Sequence, residues 1–151
     1  MATAEISDEE WMAWCGYRRL AEVITGRTVR DINDATGLSG PDFMILMALS
    51  KNPQDALLQC DLLEYLEWDK SRLSHQLSRM TSRELVQRSG THTAGISVSI
   101  KEAGCQFLAK ARPVHAQSVR RNFLDKLTPE DAHALIAIIG GLRQSDSGFI
   151  E

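Results

Sequence analysis

The chain has 151 residues, a length that suits one domain. With 43% hydrophobic and 25% charged residues it has the composition of a folded globular protein, which excludes wholesale disorder. Its 17 basic and 20 acidic side chains leave a formal charge of −3, so no overall basic field points to nucleic acid.

The first residues, Met1-Ala2-Thr3-Ala4-Glu5, lack a basic leader and an apolar core, and the longest apolar run is only Phe43 to Leu49. A soluble, cytoplasmic protein is expected. Ser7-Asp8-Glu9-Glu10 has the pattern of a capping box, with Ser7 as N-cap and Glu10 three positions into a helix. Trp11, Trp14, Ala21, Ile24 and Ile32 follow at spacings of three, four and their multiples, and Met12, Leu20 and Val23 add a second apolar face. Such a wide stripe calls for burial against more than one element. The helix should stop near Thr36-Gly37. Ser39 with Pro41 starts another, through Phe43, Leu46, Met47 and Leu49, which Lys51-Asn52-Pro53 ends. Residues 57–66, with Leu58, Leu62, Leu63 and Leu66, predict a short helix. Up to this point the chain is acidic: residues 1–68 carry 5 basic and 12 acidic side chains.

The balance then reverses. Asp69 is a good N-cap, and from Lys70 the residues Leu73, Leu77 and Met80 form one clean apolar face. Two helices joined by three or four residues have helix-turn-helix spacing. The second is basic, since residues 69–90 hold Lys70, Arg72, Arg79, Arg83 and Arg88 against Asp69 and Glu84. With its apolar face turned inward, Lys70, Ser71, Ser74, His75 and Ser78 face outward, where small polar side chains let a helix enter a major groove. Lys70, Arg72, Arg79 and Arg83 flank that stripe and suit phosphate contacts. Next, Ile96, Val98 and Ile100 alternate with Ser97 and Ser99 as in a half-buried strand, and Leu85 to Ser89 can pair with it across a tip holding Gly90 and Gly95. Helical spacing resumes at Lys101 and runs to about Leu127, with Pro113 expected to kink or break it. Thr128-Pro129 starts a last helix bearing Leu135, Ile138, Ile139 and Leu142 on one side.

This order of elements, together with Gly37-Leu38-Ser39-Gly40-Pro41-Asp42-Phe43, Trp68-Asp69-Lys70-Ser71-Arg72-Leu73-Ser74-His75-Gln76-Leu77, Glu84-Leu85-Val86-Gln87-Arg88, Glu102-Ala103-Gly104 and Leu127-Thr128-Pro129-Glu130, resembles the MarR (multiple antibiotic resistance regulator) family over nearly the whole chain. The resemblance implies a mainly α fold with a small β-hairpin wing: one subunit, 1–151, made of a dimerisation helix at 7–36, a winged helix-turn-helix lobe at 39–100 and dimerisation helices at 101–145. Within the lobe it places the recognition helix at about 69–84 and the wing at about 85–100. It implies a homodimeric bacterial regulator, most readily a repressor, that binds a pseudo-palindromic double-stranded operator without a cofactor or a membrane. The DNA-facing residues would be Lys70, Ser71, Arg72, Ser74, His75, Ser78 and Arg79, with Arg88, Thr91 and His92 on the wing. Family members usually carry an arginine at the wing tip; Ala94 stands there in this chain, so a shallower salt dependence is expected. A small aromatic effector would meet Trp11, Trp14, Tyr17, Arg18 and His115.

Two other readings stay open. Cys15, Cys60 and Cys105 make the chain a candidate thiol-based redox regulator, and the acidic first half with its arginine-poor wing tip suits a winged helix that binds a protein partner instead of DNA. For an enzyme there is no nucleotide-binding, metalloprotease or nucleophile-elbow motif, and His75, His92, His115 and His133 have no metal-ligand spacing with the cysteines.

Overall fold

The structure is a computed structural model and describes residues 5–91 and 93–145. Helix α1 (Asp8–Thr36) opens on the expected capping box: Ser7 Oγ accepts the Glu10 N–H at 3.3 Å, and the Glu10 carboxylate accepts the Ser7 N–H at 2.8 Å. It ends where Gly37 turns left-handed at φ 75°, a conformation that costs glycine little. A second capping box, Ser39 with Asp42, starts α2 (Gly40–Ser50). A turn at Pro53–Asp55 leads to strand β1 (Ala56–Leu58), then α3 (Gln59–Leu66) and α4 (Lys70–Ser82), the last capped by Asp69. Strands β2 (Val86–Thr91) and β3 (Gly95–Ile100) form the hairpin. Helix α5 (Glu102–Asn122), a turn at Leu124–Lys126 and α6 (Pro129–Ser145) complete the chain. Thr128 and Asp131 exchange hydrogen bonds at the start of α6, closing its first turn.

The fold is a mainly helical winged helix-turn-helix with a three-stranded antiparallel sheet in the order β1-β3-β2. Strand β1 departs from the expected hairpin of two strands. Ala56, Leu57 and Leu58 pair with Ser99, Val98 and Ser97, so the wing is stitched to the segment between α2 and α3. The helix expected across 57–66 therefore begins only at Gln59. Helix α5 differs as well: it passes through Pro113 unbroken and ends at Asn122, short of Leu127. Proline removes one N–H, but Pro113 and Ala109, whose carbonyl loses its partner, are both exposed, so water can serve that oxygen.

The core lies where α2, α3, α4 and the sheet meet. Ile45, Leu46, Leu49, Leu62, Leu73, Leu77, Met80, Val86 and Val98 are almost wholly buried there. Helix α5 joins through Leu108 and Ala111, and its start is held tightly to the wing. A Cβ on Gly104 would come within 2.2 Å of the Leu85 carbonyl oxygen and 2.7 Å of Ile100 Cγ2, so only glycine permits that approach. The C-terminal part of α1 packs antiparallel along α5, tied by Arg27 to Asn122 at 3.4 Å and by Arg121 to Asp31 at 2.6 Å.

The rest of α1 is uncovered. Every residue from Asp8 to Glu22 is exposed in the single subunit, including Trp11, Met12, Trp14, Tyr17 and Leu20. On α6, Ile136, Ile138, Ile139 and Leu142 are exposed as well. No helix among the described residues is long and apolar enough to cross a membrane.

Candidate nucleic-acid interface

Helix α4 is fixed from both sides of its sequence pattern. Leu73, Leu77 and Met80 are at most 1% exposed, which leaves the opposite face to solvent. Lys70, Ser71, Arg72, His75, Ser78 and Arg79 are exposed and Ser74 is half-buried, so the outward stripe expected from the spacing is present. Along its middle, Ser71, Ser74, His75 and Ser78 are no larger than an imidazole, and Lys70, Arg72 and Arg79 stand at its edges.

Two of those cations are held by neighbours. The Arg72 guanidinium carbon lies 4.0 Å from the centre of the Trp68 ring, a cation–π contact. Trp68 is itself packed against the core, so the ring is a fixed platform for an exposed charge at the first turn of α4. Arg79 donates to Gln76 Oε1. Arg83, expected beside them, is drawn the other way: Nη1 meets Asp42 Oδ2 at 2.6 Å and Nη2 meets the Gly37 carbonyl at 3.3 Å. Its charge is spent on a buried carboxylate.

On the wing, Arg88 Nη2 donates to Ser78 Oγ at 3.0 Å, bracing β2 against α4. Thr91 points outward at the end of β2, its hydroxyl accepting the Ala94 N–H at 3.1 Å and sharing a hydrogen bond with Thr93. His92 lies outside the described residues. The recognition helix and the wing thus meet at Ser78 and Arg88.

The effector candidates do not converge within one subunit. Trp14 and Tyr17 have ring centres 6.1 Å apart on exposed α1, and Arg18 pairs with Glu22 at 3.5 Å. His115 instead stacks on Phe43 at 5.0 Å between α5 and α2, and burial holds its imidazole below the usual histidine range. Because Asp31 sits beside Arg121, α5 places His115 near the end of α1, roughly 25 Å or more along the helix from Arg18 at 1.5 Å per residue. Cys15, Cys60 and Cys105 are separate, exposed free thiols. Burial, then the charges of Asp55 and Glu102, raise the Cys105 pKa, which disfavours its thiolate.

Three residues that support this surface from behind escaped the sequence pattern: Asp42, Gln76 and Trp68. The available signal was Gln76, a polar side chain on the apolar stripe of α4.

The MarR family profile matches residues 36–95, from the end of α1 to the wing. Among solved structures, AbsC, a MarR family transcriptional regulator from Streptomyces coelicolor, is 32% identical, with a TM-score of 0.86 over 97% of this chain and 100% of that one. The chain belongs to the MarR family of transcriptional regulators. Sco3205, another MarR family regulator from Streptomyces coelicolor, solved in complex with DNA, shares the fold at 24% identity and a TM-score of 0.86, covering 95% of this chain and 91% of that one. BpsR of Bordetella bronchiseptica, whose DNA binding is regulated by 6-hydroxynicotinic acid, shares it at 19% identity and a TM-score of 0.72, over 86% and 91%. No curated protein sequence matches the chain. In this MarR-family subunit the profile spans α2 to the wing, the segment that carries the polar stripe of α4.

Proposed function

We propose that this MarR-family chain is a homodimeric, sequence-specific double-stranded DNA-binding regulator, a repressor acting in the bacterial cytoplasm. The observation that carries the reading is the outward face of α4: small polar side chains along the middle, Lys70, Arg72 and Arg79 at the edges, and an apolar back locked into the core. Ser71, Ser74, His75 and Ser78 meet base edges in the major groove, while the cations hold phosphates and set the register. Arg88 and Thr91 bring the wing to the flanking backbone. In this reading α1 and the helices of 101–145 dimerise, and the lobe of 39–100 binds the operator. The uncovered apolar side chains of α1 and α6 support that division, since a lone soluble subunit rarely leaves so many together in water. Two-fold symmetry then sets two copies of α4 about 34–36 Å apart on a pseudo-palindromic site.

Release by a small aromatic acid belongs to the same proposal. The tilted Trp14–Tyr17 pair offers a stacking surface, and the regulation of BpsR by 6-hydroxynicotinic acid is the precedent within the fold.

Fluorescence anisotropy with a generic duplex, titrated across salt, tests the central reading. Lys70→Ala and Arg72→Ala are each expected to weaken binding and to lower the log–log salt slope by about one. Parental binding in both variants would overturn the assignment of α4, and failure of the parent protein itself to bind the duplex at low salt would favour a protein partner over DNA.

A further inference from the structure

Asp42 is the third residue of α2, and its side chain is 2% exposed. A carboxylate so far from water needs donors, and three converge on it. Oδ2 accepts the Ser39 N–H at 2.9 Å and Arg83 Nη1 at 2.6 Å, and Oδ1 accepts Gln76 Nε2 at 2.6 Å. The start of α2 adds the favourable end of a helix dipole. Gln76 and Arg83 are seven residues apart, about two turns, so one carboxylate on α2 grips α4 at its middle and just past its last turn.

Gln76 passes that grip outward. Its side chain is buried, and its NH2 must face Asp42, because a carboxylate only accepts. The amide oxygen is therefore turned away from Asp42, and there it accepts Arg79 Nη2. We infer that Asp42 and Gln76 are positioning residues for DNA binding: they hold the Arg79 guanidinium in place on the outer side of α4 and withdraw Arg83 from the phosphates. This inference rests on the reading of α4 as the DNA-facing helix. Arg79 then meets DNA already ordered, and the salt slope counts Arg79 but not Arg83.

A double-mutant cycle on the full chain tests it, using anisotropy with a generic duplex. Gln76→Met keeps side-chain length and helix propensity while removing the amide. It is expected to weaken binding about two- to tenfold, the range for ordering one long side chain on association, and to have no further effect in the Arg79→Ala background. Losses that simply add would overturn the positioning role, because a merely structural defect acts whether or not Arg79 is present. Arg83→Ala supplies a second readout, free of any folding defect in the Gln76 variant. A parental salt slope is expected, and a fall of about one would show that Arg83 reaches phosphate and overturn its withdrawal. Lys70→Ala, at the other end of α4, separates this failure from failure of the DNA reading. Weakened binding there with additive Gln76 and Arg79 losses sinks only the positioning role, whereas unweakened binding in both Lys70→Ala and Arg79→Ala removes the reading of α4 as the DNA-facing helix and this inference together.

Discussion

His115 shows what a single half-buried titratable group does to the stability of this subunit. Packed on Phe43, its imidazole loses hydration that the charged form needs, so the folded pKa lies below the ordinary 6.5. At pH values above 6.5 both folded and unfolded chains hold it neutral, and it adds no pH dependence. As pH falls through 6.5 the unfolded chain takes up the proton first, so unfolding becomes easier until the folded value is reached. Urea unfolding from about pH 7.5 down to about pH 5 should therefore show declining midpoints, and His115→Phe should remove that part of the decline. An unchanged pH profile in the variant would assign the decline to other groups. The same scale explains what the sequence could not show of the candidate site. The stripe from Ser71 to Ser78 was legible because a helix repeats locally. The link from Gln76 to Asp42 joins residues 34 positions apart, and no local spacing encodes it. Local spacing accordingly groups Arg83 with the phosphate ligands, although its partner Asp42 lies on another helix.

Helices with chemical punctuation were the most legible elements. Ser7 with Glu10, Ser39 with Asp42, Asp69 and Thr128 each satisfy otherwise unpaired N–H groups, and each marks a helix start within a residue. Strand β1 carries no such mark. Its three residues are too few to show alternation, and it is a strand only because β3 lies beside it. The end of α5 was overrun for a related reason: Phe123 to Leu127 continue the apolar pattern of the helix although the chain leaves helical geometry at Phe123. Gly104 is the point where two elements depend on one hydrogen atom. Gly104→Ala forces α5 away from the Leu85 carbonyl and Ile100, and should lower the unfolding free energy by about 1–3 kcal/mol, the usual range for overpacking. Chemical denaturation measures this directly, and parental stability would mean that the wing and α5 separate freely.

For the whole molecule, the charge arithmetic takes on a spatial meaning. The acidic first 68 residues supply α1, α2 and α3, which support and extend the subunit, while the basic stretch of 69–90 is α4 and the first strand of the wing. A net charge of −3 then limits indiscriminate attraction to DNA, and in the proposed reading affinity is left to a small set of placed cations. In the proposed homodimer the exposed apolar residues of α1 and α6 meet the second subunit. Ile138→Asp combined with Leu142→Asp should shift sedimentation equilibrium from dimer to monomer mass and weaken DNA binding, because two half-sites would no longer be held together. A parental mass in that variant would place the dimer contact elsewhere.

The most direct test is selection of bound duplexes from a random pool by the full-length protein. The expected product is one enriched, pseudo-palindromic sequence whose half-sites are centred about one helical turn apart, with enrichment lost in Lys70→Ala. A pool that emerges unenriched, or a single half-site without a symmetric mate, would contradict recognition by a dimer through α4.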